Sequence, residues 1–431
     1  MSSPALYHVV TLGCKLNQYD SAAMEADLAA LGMAPTRDPA AARLILVNTC
    51  TVTSAADAQS RQTIRKMKRA NPRCTLVVTG CYAQRDPAAL RGIEGVDAVV
   101  GLAGQRGLKG LVTRLAPDLP AAPACVEAGE DPLPLFTDQT RAFLKVQEGC
   151  DLRCSYCVIP SVRGASRSVE PEVVLRKIAL LSEAGFREIV LTGVNTGDYG
   201  KDLSPATTLA EMLRRAVEIP SVGRLRLNSV EPRCVTTELI RMLAESPRLA
   251  PHLQVPLQSG ADEVLARMRR PYRVSHYRQA LEALRKHVPD IGLGADVIVG
   301  FPGETDEEHA RTRDFIAGSE LNYLHVFSFA PRPGTPAAAL EARPPGNVVA
   351  QRSAELRELG KSLARRFHRS FMGRRLDVIG LQGCLPDGRT RALSGNFIEV
   401  GLAAPPEMAV NRLLSARVTD VSSFPVSAVP C

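Results

Sequence analysis

Glu148-Gly149-Cys150-Asp151-Leu152-Arg153-Cys154-Ser155-Tyr156-Cys157 places three cysteines within eight residues. The run follows an apolar stretch, Ala142–Val146, that reads as a strand. Three thiolates on one short loop can wrap three corners of a [4Fe–4S] cube and leave the fourth iron open to a substrate. A zinc knuckle is the alternative. Structural zinc wants four protein ligands, and no further Cys or His follows closely; the next cysteine is Cys234.

Around this loop, the block Thr140–Thr335 holds six candidate strands: Ala142–Val146, Glu188–Gly193, Arg224–Ser229, His252–Pro256, Leu293–Val299 and Tyr323–Phe329. Helical patterns such as Glu172–Ala184, Ala261–Met268 and Tyr277–His287 lie between them. Six strand–helix repeats predict an open, partial (β/α) barrel, with chemistry at the carboxyl ends of the strands. A second proline-rich stretch, Pro331–Pro345, leads to a basic helix, Val348–Ser370.

Upstream, residues to about Leu115 alternate strands (Ala42–Val47, Thr75–Thr79, Ala98–Val100) with helices (Ser21–Leu31, Ala56–Arg69), the pattern of an α/β layer with a parallel sheet. Prolines at 117, 120, 123, 132 and 134 mark 116–137 as a linker. Downstream, Phe371–Cys431 has short alternating strands (Leu376–Leu381, Ile398–Leu402, Arg412–Val421) and reads as a small β-barrel. The expected domains are therefore 1–115, the linker 116–137, a barrel with its trailing helix over 138–370, and a β-barrel over 371–431.

Three further cysteines sit where a strand gives way to a helix: Cys14 in Gly13-Cys14-Lys15-Leu16-Asn17, Cys50 in Asn48-Thr49-Cys50-Thr51-Val52-Thr53, and Cys81 in Gly80-Cys81-Tyr82-Ala83-Gln84. Parallel strands would bring these ends to one edge, and helix N-termini would favour thiolates there. The trio could form a second cluster site, or simply be buried small hydrophobes. Cys74, Cys125, Cys234, Cys384 and Cys431 match no motif.

The 431 residues carry a formal charge of +8, a weak sign of a polyanionic partner. Ten Lys/Arg against five Asp/Glu fall in 361–431, which concentrates the surplus in the tail. Arg365, Arg366, Arg369, Arg374 and Arg375 are candidates to hold RNA phosphates, although a solvated basic helix face would look the same. Arg61, Arg65, Lys66, Lys68 and Arg69 invite the same caution. Aromatics are 4% and tryptophan is absent, so a broad base-stacking platform is not expected. No run of about 18 apolar residues and no signal-peptide pattern occur, so a cytoplasmic protein without a membrane span is expected.

CxxxCxxC after the first barrel strand, with Tyr156 before the last cysteine, resembles the radical S-adenosylmethionine superfamily. Leu191-Thr192-Gly193-Val194-Asn195, Ser229-Val230-Glu231-Pro232, Pro256-Leu257-Gln258-Ser259-Gly260 and Asp296–Glu304 resemble its later motifs, in order. The resemblance implies that Cys150, Cys154 and Cys157 hold the radical-generating cluster. It also implies that Tyr156, Thr192, Gly193, Asn195, Ser229, Glu231, Gln258 and Val299 border S-adenosylmethionine.

Nearly the whole chain resembles the methylthiotransferase family, in which Cys14, Cys50 and Cys81 would carry an auxiliary cluster and the tail would be a TRAM-like RNA-binding barrel. Gly13–Asn17 with Lys15, and Thr51-Val52-Thr53, look most like the branch acting on threonylcarbamoyl-adenosine at tRNA position 37. Asn228 and Ser328-Phe329-Ala330 depart from the usual residues. The resemblance implies two [4Fe–4S] clusters and two S-adenosylmethionine molecules per turnover, one for the radical and one for the methyl group. It implies as partners a tRNA anticodon stem-loop, an electron donor such as flavodoxin or ferredoxin, and a sulfur or cluster assembly system. The rival targets are isopentenyl-adenosine at the same position and a ribosomal-protein aspartate. A non-catalytic iron–sulfur RNA-binding protein is the rival from another class.

Overall fold

The computed structural model describes residues 4–115, 133–134, 136 and 139–431. Most of the stretch expected as a linker, 116–137, lies outside the described residues, as does Cys125. Two compact units are present, one of 1–137 with 157–165 and the other of 138–156 with 166–431. Among the described residues no helix is long and apolar enough to cross a membrane.

The first unit is built on a five-stranded parallel sheet in the order Ala34–Pro35, Leu6–Thr11, Leu44–Thr49, Thr75–Gly80, Ala98–Val100. Leu44–Thr49 is buried along its whole length, as an apolar strand covered on both faces must be. Its side chains alternate. Ile45 and Val47 pack with Ile64, Met67, Leu76 and Val78, whereas Leu44 and Leu46 pack with Met24, Leu28, Val77 and Leu108. The first helix, Lys15–Ala30, begins six residues before the expected Ser21. Its opening turn turns Asn17 and Asp20 inward, both buried, and buried polar residues hide the apolar period that reveals a helix. Helix Ser54–Ala70 is capped by Thr53, whose hydroxyl accepts from the Ala56 amide.

In the second unit all six expected strands form. They make two three-stranded parallel groups: Arg224–Leu227, Glu188–Thr192, Ala142–Lys145, and His252–Gln254, Gly292–Val299, Tyr323–Ser328. Isolated bridges Leu225↔Leu249 and Ser229↔Gln254 run along the boundary between the groups. The seam falls where His252–Gln254 is confined between Pro251 and Pro256, neither of which can donate to a ladder. The tail is a closed barrel of Arg375–Cys384, Thr390–Ser394, Glu399–Leu402, Val426–Pro430 and Leu413–Asp420. Two of its strands, Thr390–Ser394 and Val426–Pro430, are not among those expected from sequence.

The tail barrel is fastened to the amino ends of the partial-barrel strands. Glu188, the first residue of its strand, has no solvent exposure. Its carboxylate accepts from Arg224 Nε at 2.6 Å, Arg226 Nε at 3.0 Å and Arg141 Nη1 at 3.3 Å. The same guanidiniums reach across to the tail. Arg226 donates to the carbonyls of Ser394 and Gly395, both at 2.9 Å, and Arg224 to those of Asp377 and Leu393 at 3.1 and 3.4 Å. Burial alone would raise the Glu188 pKa, but Arg226, Arg224 and Arg141 outweigh it and hold the carboxyl well below the usual range. Phe397, at φ 71°, stacks on His252 at 4.4 Å and lies beneath Arg226. A Cβ on Gly292 would come within 2.1 Å of the Asn396 carbonyl oxygen, so only glycine permits this approach.

Removing one partner of a buried ion group costs about 3–5 kcal/mol because the others stay buried and charged. Glu188→Gln should therefore lower the urea midpoint of this unit by an amount corresponding to that loss. Because the folded-state pKa is depressed, the stabilisation is present above the unfolded carboxyl value and is lost as pH falls through the folded one. The wild-type chain should therefore lose more stability than Glu188→Gln in urea titrations carried from pH 6 toward pH 3.

Candidate functional site

The three cysteines of the first unit do meet. Its strands end at Thr11, Thr49 and Gly80, so Cys14, Cys50 and Cys81 leave the same sheet edge. Asn17, wholly buried, stands between them. Its Nδ2 donates to the carbonyls of Leu12 at 2.8 Å and Thr49 at 3.0 Å, which fixes the first two cysteine loops. Its Oδ1 lies 4.0 Å from Cys14 Sγ and 3.8 Å from Cys81 Sγ. Cys50 closes the group: a Cβ on Gly13 would come within 2.7 Å of its sulfur, and Gly13 sits at φ +97°. Gly80, also at φ +97°, has no room for a Cβ beside Asn48 and Thr49. Glycine before two of the cysteines is therefore a steric requirement.

The electrostatics differ from the expectation that helix N-termini favour thiolates here. Burial pushes the Cys50 thiol up, and pushes Cys81 up to about 12 against the opposing pull of Arg163. The helix that Cys81 opens has only five residues. A buried thiol with a raised pKa becomes a good ligand once metal replaces its proton.

Among the described residues no three Cys, His, Asp or Glu side chains are gathered closely enough for a single metal ion. Three thiols gathered around a buried amide are the donor set that an iron–sulfur cluster takes.

The cysteine-rich loop divides between the units. Cys150 and Cys154 fold with the second, whereas Cys157 begins the segment 157–165 that folds with the first. Gln147, fully buried, brackets the loop's start. Its Nε2 donates to the carbonyls of Glu148 at 2.9 Å and Gly149 at 2.7 Å, and its Oε1 accepts from the Asn195 amide at 2.9 Å. Ser155 ties the middle down, its hydroxyl donating to the Arg267 carbonyl at 2.8 Å. Half-buried Tyr156 packs against the cluster of Ala261, Val264, Met268 and Phe301.

The expected residues hold the carboxyl ends of their strands. Thr192 ends its strand, with Gly193 and Asn195 just beyond. Ser229 and Glu231 follow Arg224–Leu227, Gln258 follows His252–Gln254, and Val299 ends Gly292–Val299. Arg270 is a residue that sequence reasoning missed. It is buried, with Nη1 3.1 Å from Cys154 Sγ and Nη2 paired with Glu231. Its guanidinium also lies over the Tyr272 ring at 5.0 Å. Asn195 donates through Nδ2 to Asp198, while its buried Oδ1 has no hydrogen-bond partner. A buried acceptor left open costs free energy unless a ligand donor satisfies it. An open acceptor and a buried cation beside a cysteine suit a ligand carrying an amino and a carboxylate group, as S-adenosylmethionine does.

Arg365, Arg366, Arg369, Arg374 and Arg375 are all exposed, at the end of helix Gly346–Arg369 and the start of the tail barrel. Arg365 pairs with Glu358 at 3.0 Å and Arg374 with Asp290 at 2.5 Å.

Residues 6–101 match the group described as "Uncharacterized protein family UPF0004", and residues 144–316 match the radical SAM superfamily. A Bacillus subtilis protein named "Threonylcarbamoyladenosine tRNA methylthiotransferase MtaB" is 38% identical over 86% of this chain and 83% of its own length. The chain belongs to the radical S-adenosylmethionine methylthiotransferase family. A Rickettsia prowazekii protein of the same name is 34% identical over 96% of this chain and 94% of its own length. A "tRNA-2-methylthio-N(6)-dimethylallyladenosine synthase" of Acidothermus cellulolyticus is 34% identical over 97% and 84%. Among solved structures, the radical S-adenosylmethionine methyltransferase TsrM from Kitasatospora setae is similar in fold, with TM-score 0.58 at 16% identity over 78% of this chain and 74% of that one. Methylthiotransferases of this family work with [4Fe–4S] clusters and S-adenosylmethionine.

Asn17, Gln147 and Arg270 have no sequence signal of their own. Asn17 stands inside a motif-like word, but its role is to join loops distant in the chain. Arg270 belongs to an ordinary Arg269-Arg270-Pro271 run.

In the iron-free chain at pH 8, exposed Cys14 should react with iodoacetamide roughly tenfold or more faster than Cys81, because the thiolate is the nucleophile and burial keeps Cys81 protonated. Peptide mass spectrometry over a time course reads the ratio, and equal rates would contradict the buried thiol.

Proposed function

We propose that this protein converts N6-threonylcarbamoyladenosine at position 37 of tRNA to its 2-methylthio derivative. The observation that carries the reading is the convergence of Cys14, Cys50 and Cys81 on Asn17 in a chain that also bears the CxxxCxxC loop. In this reading Cys150, Cys154 and Cys157 hold the cluster that engages S-adenosylmethionine, and Cys14, Cys50 and Cys81 hold the second. The domains are the amino-terminal α/β layer to residue 115, the linker to 137, the partial barrel to 370 and a TRAM-like barrel beyond.

Bound there, the clusters and two S-adenosylmethionine molecules supply a carbon radical that can act at the unreactive C2–H of adenine, together with the methylated sulfur that is transferred. The chain's own residues bind and orient. Arg270 offers its guanidinium to a carboxylate next to Cys154, and Asn195 Oδ1 accepts from an amino group. Thr192, Gly193, Ser229, Glu231, Gln258 and Val299 border the same ligand from the strand ends, with Tyr156 walling the loop. Glu231 keeps Arg270 in place, and Tyr272 supports it from the other side, its hydroxyl 2.8 Å from the Leu257 carbonyl oxygen. The exposed arginines of the tail hold tRNA phosphates, which position the anticodon stem-loop without reading its sequence. A flavodoxin or ferredoxin supplies the electron, a sulfur or cluster assembly system restores the sulfur, and the reaction takes place in the cytoplasm.

The target base rests on Lys15 and on Thr51-Val52-Thr53 beside two of the cysteines, and on the similarity to the Bacillus and Rickettsia proteins. Similarity to the Acidothermus protein across 97% of this chain favours the dimethylallyl-adenosine target as a second reading.

Mass spectrometry of tRNA nucleosides from cells with and without the gene separates the two. Loss of the methylthio form of threonylcarbamoyl-adenosine, with its precursor accumulating, is the expected result; loss of the dimethylallyl form instead would move the target. With purified protein, Cys150→Ala should abolish 5′-deoxyadenosine formation. Cys50→Ala should keep it and abolish only methylthio transfer.

A further inference from the structure

We propose that Arg163 is a positioning residue for the second cluster, its guanidinium set against the pocket of Cys14, Cys50 and Cys81 to offset the negative charge that three thiolates bring. The proposal rests on the assignment of those cysteines as ligands.

Arg163 ends the short helix Ile159–Arg163 in the segment that folds with the first unit. Its side chain is 1% exposed, unusual for an arginine unless it is paired. One nitrogen, Nη2, donates to Asn17 Oδ1 at 2.8 Å and to Asp20 Oδ2 at 3.1 Å. That Asn17 oxygen is the atom within 4.0 Å of the sulfurs of Cys14 and Cys81. The positive charge of Arg163 opposes the upward push that burial gives the Cys81 thiol. Val158 and Val162 of the same segment pack on Cys81 and Leu102, which holds the helix against the pocket.

Two arrangements of charge result. In the iron-free pocket Arg163 pairs with Asp20. With three thiolates bound to iron, the guanidinium faces an excess of negative charge that Asp20 only enlarges. Charge and hydrogen bonds around cluster sulfurs set the reduction potential. Removing Arg163 should make the added electron less welcome, and removing the Asp20 charge should do the reverse. Arg163 lies six residues after Cys157, so the segment that supplies one cysteine of the radical loop also carries the arginine of the second pocket.

The test uses the full-length chain with Cys150, Cys154 and Cys157 all changed to Ala, so that only the second cluster is loaded. Iron is counted after anaerobic reconstitution, and the reduced fraction is followed by electron paramagnetic resonance in a redox titration. At the poise where the parent is half reduced, Arg163→Gln should lower the reduced-to-oxidised ratio at least fivefold. Arg163→Lys should recover part of that loss, and Asp20→Asn should raise the ratio. A purely structural clamp would not move the two charges' variants in opposite directions. If Arg163→Gln does not fold, the Asp20→Asn shift decides. Iron-loaded variants with an unchanged ratio, or with shifts of the same sign, would overturn the proposal. If Cys14→Ala, Cys50→Ala and Cys81→Ala together in this background leave the iron count unchanged, the ligand assignment fails instead.

Discussion

Glu188 is a carboxylate without access to water, answered by three arginines, and the second unit is organised by that constraint. A charge so placed is costly unless every partner is present; Arg224 and Arg226 come from one neighbouring strand and Arg141 stands just before the other. Arg224 and Arg226 have hydrogen-bonding capacity left over, and the carbonyls of the tail barrel take it up. The amino end of the partial barrel is thereby covered by Ser394–Phe397. Its carboxyl end remains for chemistry, which is where the cysteine loop and the motif residues gather. The ion group is better understood as setting geometry than as net stabilisation, since buried ion pairs return little once desolvation is counted.

The two cysteine sites share one device, a buried amide side chain that ties loops together. Asn17 joins the carbonyls before Cys14 and Cys50 and presents its oxygen to Cys14, Cys81 and Arg163. Gln147 does the same for the start of the radical loop and for Asn195. An amide offers donors and an acceptor at once without a charge to neutralise. It can therefore fix a pocket whose ligands change charge when metal enters, where a carboxylate or a lysine in that place would oppose one of the two states.

Much of this was legible in the chain. All six barrel strands appear within a few residues of their expected bounds, because parallel strands buried on both faces are short apolar runs flanked by helical periodicity. The CxxxCxxC loop is local, so its spacing is readable without the fold. Less was legible where polar residues turn inward. The first helix starts at Lys15, ahead of Ser21, because Asn17 and Asp20 break the apolar pattern. The seam between the two halves of the barrel follows from two prolines whose effect depends on which strand lies alongside. Tail strands Thr390–Ser394 and Val426–Pro430 carry Thr, Ser, Arg and Pro, and only barrel closure explains them.

By itself the sequence determined the fold class, the two groups of cysteines, and the order of the motifs along the strands, since each of these is written in local spacing or periodicity. The tertiary structure alone decided that Cys14, Cys50 and Cys81 meet around Asn17, that Arg163 and Arg270 stand at the sulfurs, and that Glu188 fastens the tail to the barrel. The physical reason is the same in each case. Burying a thiol, an amide or a charge is tolerable only when its partners arrive from distant parts of the chain, and no local pattern records which partners those are.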